Sequence, residues 1–258
     1  MNGWLIYDRA GAKRNEWFIA RLLEQANSAG LRLTLKITDE YLFAGELPEF
    51  AIVRTIAPTL SRRLQDMGVR VYNNAETSEI ANDKYKTYQL CKELSLPVLE
   101  TTDGADLGYP CILKSVDGHG GAEVFWLENQ TQKAAAVATL NGRAYILQKP
   151  CPIKGKDVRV YAVGNKCVAA VCRTSENDFR SNFSLGGNVE LVQADEMQKN
   201  IVQTLHDRLE FDFVGVDFLP DGVGGWVVNE IEDCAGARML YQTSDVDITA
   251  LMIERIKE

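Results

Sequence analysis

Residues 215–236 read GVDFLPDGVGGWVVNEIEDCAG. Two apolar runs flank a glycine-rich turn, and both carry acids: Asp217 in the first, Glu230 and Glu232 in the second. Side chains alternate along a strand, so Glu230 and Glu232 share a face. If the runs pair through DGVGG, Asp217 stands opposite Val228. Glu230 is then its diagonal neighbour on that face, about 7–8 Å away. Like charges gathered in this way raise one another's proton affinity unless a cation sits among them. One reading is a sheet face where the acids are merely solvated. The flanking Val216, Phe218, Val227, Val228 and Ile231 argue against full exposure and favour a bound cation, since uncompensated buried charge is costly. Oxygen ligands suit Mg²⁺, with Mn²⁺ the alternative. The only histidines, His119 and His206, offer no zinc pair.

Magnesium held by carboxylates commonly accompanies phosphate. The stretch VDGHGG (116–121) is a glycine-rich turn between the strand-like runs CILKSV and AEVFWL, able to present backbone N–H groups to an anion. Lys114 precedes it by one strand step. No GK[ST] follows, so this is not a P-loop. Taken alone, the loop reads as a hairpin turn; with Lys114 and the distant acids it points to a nucleotide.

The rest of the 258-residue chain divides in two. Residues 1–82 alternate strand and helix: GWLIYD, a helix capped by Asn15, LRLTLKI, FAIVRT, a helix opened by Pro58, and VRVYNN. That pattern predicts an open, parallel α/β lobe. It lacks GxGxxG after the first strand, which argues against a dinucleotide site. From 83 to 258 the pattern is antiparallel-rich α+β. A helix runs from about Asn82 to Leu94, a small lobe covers about 98–150, and a larger one about 151–258. The larger lobe includes a hairpin turning at Gly164-Asn165.

Hydrophobic residues make up 46% and charged ones 25%, an ordinary globular balance. A net charge of −8 argues against a nucleic-acid partner. No apolar run approaches the roughly 20 residues of a membrane span, and no basic-then-apolar segment precedes the first strand. A cytoplasmic protein with six reduced cysteines is the expectation.

The motifs resemble a known superfamily. In order they are Asn82-Asp83-Lys84, ILK ending at Lys114, DGHGG, ILQKP, GKDVRV, NDFRSNFSLGG, GVDFL, VNEIEDCAG and TSDVDI. This order is similar to that of the ATP-grasp proteins, and FRSN followed by GG is similar to the RimK-type amino-acid ligases among them. The resemblance runs from about residue 50 to the end. It implies an ATP-grasp fold with a pre-ATP-grasp lobe, a middle lid and an antiparallel large lobe. It also implies an activity, ATP-dependent carboxylate–amine ligation.

Carried over by motif, Lys84 and Lys114 would contact the phosphates, and Gly118, Gly120 and Gly121 would fold over them. Gln148, Lys149 and Cys151 would line the adenine hinge, and Asp157 would take the ribose. Asp217, Glu230 and Glu232 would hold two Mg²⁺ ions. Arg173, Arg180 and Asn182 would stabilise the transferring phosphoryl or acyl intermediate. Arg54 and Arg238 are substrate-carboxylate candidates, although a surface salt bridge explains Arg54 as well.

The chain departs from the family that it resembles at Glu232, where asparagine is usual, at Lys149, where glutamate is common, and at Asp233, Cys234 and Arg238. The implied partners are an amino acid or peptide acceptor; a homo-oligomer is compatible. A kinase on the same fold, or a nucleotide-binding partner without turnover, are the competing functions.

Overall fold

The structure is a computed structural model that describes residues 1–38, 43, 45–121, 123–176, 178–181 and 188–258. Strands β1 (Asn2–Tyr7), β2 (Arg32–Ile37), β3 (Phe50–Val53) and β4 (Arg70–Tyr72) form a parallel sheet in the order β2-β1-β3-β4. β3 is apolar throughout because both its faces are buried. β2 is an edge strand and more exposed than its alternation predicts. The helix expected from Asn15 is preceded by another. α1 (Arg9–Arg14) is capped by Asp8, and α2 (Glu16–Ser28) follows Asn15, whose side chain donates to the Gly11 carbonyl instead of capping. α3 (Pro58–Asp66) opens with proline at its start, where a missing N–H is harmless.

α4 (Ala75–Ala81) was not evident from the sequence; it precedes α5 (Lys84–Glu93), and Asp83 caps α5 by accepting from the Tyr85 and Lys86 amides. A second, antiparallel sheet follows in the order β5-β8-β6-β7: β5 (Thr101–Thr102), β6 (Cys111–Ser115), β7 (Val124–Leu127) and β8 (Tyr145–Gln148). With α6 (Gln130–Thr139) it has its own core, centred on Leu113, Leu127, Leu140 and Leu147.

The third sheet is antiparallel, in the order β11-β10-β9-β12-β13. Its strands are β9 (Lys156–Val163), β10 (Lys166–Thr174), β11 (Asn188–Val192), β12 (Phe213–Pro220) and β13 (Trp226–Glu232). α7 (Glu196–Leu209), with a capping box at Asp195, supplies Ile201, Val202 and Leu205 to a core shared with Val160, Val216 and Ile231. The opposite face carries Tyr161 and Phe213 in a core with Leu5, Phe18 and Leu22 of the first lobe and Met252 of α9 (Ile248–Lys257). α8 (Arg238–Thr243) occupies a stretch that the sequence pattern left as loop. The first lobe and the large sheet therefore share one hydrophobic core, whereas the small lobe has a separate one. Asn73 adds a polar seam by accepting from the Asp212 and Phe213 amides at 2.7 and 2.8 Å. All six cysteines are free. Among the described residues, no helix is long and apolar enough to cross a membrane.

Candidate active site

The hairpin that holds the acids is not regular. Asp217 pairs with Glu230, not Val228, and Phe218 pairs with Val228. Asn229 is the extra residue of a β-bulge, which corrects the register expected from simple alternation. Val228 and Ile231 both remain in the core, so the two residues between them face the other way. Bulges re-aim side chains in this manner. As a result Asn229, Glu230, Glu232 and Asp217 all border one cleft. That cleft, with about 910 Å³ of space open to solvent, lies between the small lobe and the large sheet.

Most sequence-predicted residues meet there. Lys84, Lys114, Gly118, Gly120, Gly121, Gln148, Lys149, Cys151, Asp157, Arg173 and Arg180 line the cleft together with the acids. Asn182 lies outside the described residues. Arg54 and Arg238 border a second cleft of about 1330 Å³, between the first lobe and the segment after β13. The two clefts share Gly120, Arg173 and Glu232.

The electrostatics centre on an alternating chain of charges. Arg159 donates from Nε and Nη2 to the two oxygens of Asp217, each at 2.7 Å, and its Nη1 lies 2.7 Å from Glu232 Oε2. Arg173 donates to Asp217 Oδ2 at 2.7 Å and forks onto both oxygens of Asp157, the Nε contact being 2.6 Å. Asp217 is only 4% exposed. Burial alone would push its carboxyl up, but the two guanidiniums overcome that and hold it well below the usual carboxylate range. Burial pushes the Lys114 ammonium down, against the pull of Glu230. Lys114 Nζ donates to Asn229 Oδ1 at 2.8 Å, and both Lys114 and Lys84 stand 3.9 Å from Glu230 Oε1. Four carboxylates thus face four cations.

The donor set fits a hard divalent ion. Among the described residues Glu230 is the acid that no arginine engages, and Glu232 commits one oxygen to Arg159. Both Asp217 oxygens take guanidinium N–H groups, yet a carboxylate offers about four lone-pair sites in all. Among the described residues no three acids already converge on one point, so a metal shared by all three requires these side chains to close around it. Glu232 is paired with Arg159, which it shares with Asp217.

Gly118 Cα rests on the Ser115–Glu123 pair: a Cβ there would lie 2.0 Å from Ser115 Oγ and 2.8 Å from Glu123 Oε2. Gly120 and Gly121 adopt positive φ, 68° and 75°. Lys84 donates to the Gly118 carbonyl, and Arg180 to that of Gly121 at 2.7 Å. A Gly118→Ala variant must displace the loop. It is expected to lose on the order of 100-fold in turnover, because misplacement of about 1 Å has that effect, while its melting temperature stays near wild type. Parallel rate and thermal-melt measurements check both halves.

Side-chain orientation clarifies other positions. The Lys149 ammonium is committed to the Leu107 carbonyl at 2.7 Å. Gln148 Nε2 donates to Thr101 Oγ1, and the single Cys151 S–H lies between the Ile153 and Pro220 carbonyls, within reach of either. Arg54 is buried between Phe18 and Phe213 and donates to the Asp233 and Ala235 carbonyls, so it fixes the segment after β13. Sequence reasoning missed Arg159, Asn229 and Glu123. Arg159 was detectable as a charge at the same-face spacing from Asp157 in an apolar strand. Adjacent Asn229-Glu230 breaks strand alternation, which is the signature of the bulge.

Known proteins resemble this chain in sequence and in fold. The chain is 31% identical over 182 residues to an uncharacterized protein of Mycoplasma genitalium, covering 69% of this chain and 63% of that one. It is 30% identical over 215 residues to the Probable alpha-L-glutamate ligase of Parasynechococcus marenigrum, covering 77% of this chain but 46% of that protein. The chain thus spans less than two thirds of both relatives. In fold it is similar to the D-alanine–D-alanine ligase of Bacillus anthracis complexed with ATP, with a TM-score of 0.76, 13% identity and coverage of 100% and 96%. Residues 81–256 match the RimK-like ATP-grasp domain, and the chain belongs to that family.

Proposed function

We propose that this protein is an ATP- and Mg²⁺-dependent carboxylate–amine ligase that joins a carboxylic acid to the amine of an amino acid or peptide. One observation carries the reading: the lysine- and glycine-lined cleft and the arginine-lined second cleft meet at Gly120, Arg173 and Glu232. A nucleotide in the first and an acid in the second would bring the γ-phosphoryl group to the substrate carboxylate at that junction. A carboxylate oxygen attacks phosphorus and ADP leaves, which gives an acyl phosphate. The amine nitrogen then attacks the acyl carbon, loses a proton, and orthophosphate departs as the amide forms. Little covalent work falls to the protein, whose part is positioning and charge neutralisation.

Lys84, Lys114 and the Gly118–Gly121 loop hold the phosphates in this scheme. Gln148, Lys149 and Cys151 border the base, and Asp157 the ribose. Glu230, Glu232 and Asp217 would hold the metal, two ions in the full complement, with Mn²⁺ as a substitute. When bound, the metal offsets phosphate charge. Arg159, Arg173 and Arg180 would offset the developing charge of the transfer, a role that Asn182 shares by motif alone.

Arg14 and Arg238 line the second cleft and form no ion pair among the described residues, Arg238 donating to the Arg14 carbonyl. Two such cations favour an acid with a further carboxylate, consistent with glutamate in the relative's name. The test is ADP release across pairs of carboxylic acids and amines. Orthophosphate must appear only when the amine is present; phosphate retained on the acid with no amine requirement would indicate a kinase instead. With the productive pair, Arg238→Met is expected to raise the acid's KM about tenfold, the scale of one charge-assisted contact, and to leave ATP affinity unchanged.

A further inference from the structure

Two acids flank the phosphate-facing glycine loop, where negative charge opposes the ligand. Asp117 opens the loop and Glu123 follows it. Both are gripped by one side chain. Arg143, in the turn between α6 and β8, approaches Asp117 Oδ1 with Nη2 at 2.6 Å, Glu123 Oε1 with Nη1 at 2.5 Å and Glu123 Oε2 with Nη2 at 2.8 Å. Sheet register brings the three together. The Val116 amide donates to the Ala144 carbonyl, and the Ser115 amide to that of Glu123, so the ends of β6, β7 and β8 meet at the base of the loop.

Glu123 transmits the grip. Its Oε2 accepts from Ser115 Oγ at 2.6 Å, and this pair is what lies beneath Gly118. Hydrogen bonds from Ser115 and Arg143 hold the Glu123 carboxyl below its usual range. A half-exposed ion pair adds little to folding. Here its location matters more than its contribution to stability. With Arg143 in place, both acids are held and half of their combined charge is offset, and the loop's floor is fixed. Without it, two carboxylates are released beside the phosphates.

We infer that Arg143 is a positioning residue for ATP, which pins Asp117 and Glu123 and offsets part of their charge so that the glycine loop can accept a triphosphate. This rests on the ligase reading, in which that loop carries the phosphates. The experiment is calorimetric titration of wild-type, Arg143→Met, Arg143→Lys and Arg143→Met/Glu123→Gln proteins. Each is titrated with a Mg²⁺-bound non-hydrolysable ATP analogue and, separately, with adenosine.

Arg143→Met is expected to weaken the analogue about tenfold, the scale of one or two unscreened charges at several ångströms, while adenosine binds as in wild type. Arg143→Lys should restore part of the loss, and removal of the Glu123 charge in the double variant should restore part as well. A general structural defect would weaken both ligands together. The inference is overturned if Arg143→Met binds the analogue as tightly as wild type, if it loses both ligands equally, or if Glu123→Gln gives no recovery. Failure of wild type itself to bind the analogue would overturn the ligase reading instead.

Discussion

Replacing Asp217 with alanine is expected to destabilise the protein by about 3–5 kcal/mol, the range for removing one partner of a buried ion pair, and to abolish turnover. The reason is the network around it. Asp217 is the acid between Arg159 and Arg173, both buried. Its loss leaves two guanidiniums facing each other with only Glu232 and Asp157 as counter-charges. Chemical denaturation of the variant measures the loss, with the urea midpoint falling while the slope is kept. The pH dependence follows from the direction of its shift. A carboxyl held below its usual range in the folded state contributes stability that is fully present above the ordinary carboxylate pKa of about 3.9. That contribution disappears as pH falls through the lower folded-state value. The gap between wild type and Asp217→Ala should therefore be constant from neutral pH to about 5 and narrow only in stronger acid.

Glu230→Gln should behave in the opposite manner. Glu230 is partly exposed, lies 3.9 Å from two ammoniums and has no arginine partner among the described residues. Conversion to the isosteric amide is expected to change stability by less than about 1 kcal/mol. Turnover should nevertheless fall by at least about 100-fold, the scale on which removal of one group that stabilises developing charge acts. If Glu230 is the acid most available to the metal, the defect is partly relieved at high Mg²⁺. Activity measured against Mg²⁺ concentration checks this, and a variant with wild-type turnover at ordinary Mg²⁺ would remove Glu230 from the metal site. The pair of substitutions separates two jobs that the sequence presents as one acid cluster: Asp217 sits in the cleft wall locked between two guanidiniums, and Glu230 has no such lock.

How far these roles could be read from sequence depends on the kind of interaction. Local patterns carried the parallel first lobe, the Gly164-Asn165 hairpin and the pairing of β12 with β13. Apolar periodicity and turn glycines are encoded in consecutive residues, and they fix such elements directly. The bulge at Asn229 escaped because strict alternation was applied across Asn229-Glu230, the very pair that breaks it. Arg159 escaped for a different reason. Its partners, Asp217 and Glu232, lie 58 and 73 positions away in sequence, and only the order of β9, β12 and β13 in the sheet brings them together. Arg143 is similar: its contacts depend on the meeting of three strand ends. Arg54 read as a substrate-carboxylate candidate or a surface salt bridge; the structure instead buries it as an anchor for the Asp233 and Ala235 carbonyls, which requires the shared core between the first lobe and the large sheet. Motif order picked out residues that line one cleft; the long-range ion pairs among them required coordinates.

The most direct measurement is the affinity of the wild-type protein for ATP, by calorimetry, with Mg²⁺ present and with Mg²⁺ removed by chelator. If carboxylates of the β12–β13 hairpin hold the metal against the phosphates, ATP binds with Mg²⁺ and at least about tenfold more weakly without it, as expected when a divalent cation offsets the charge between them. Equal affinity in chelator, or no binding in either condition, would contradict it.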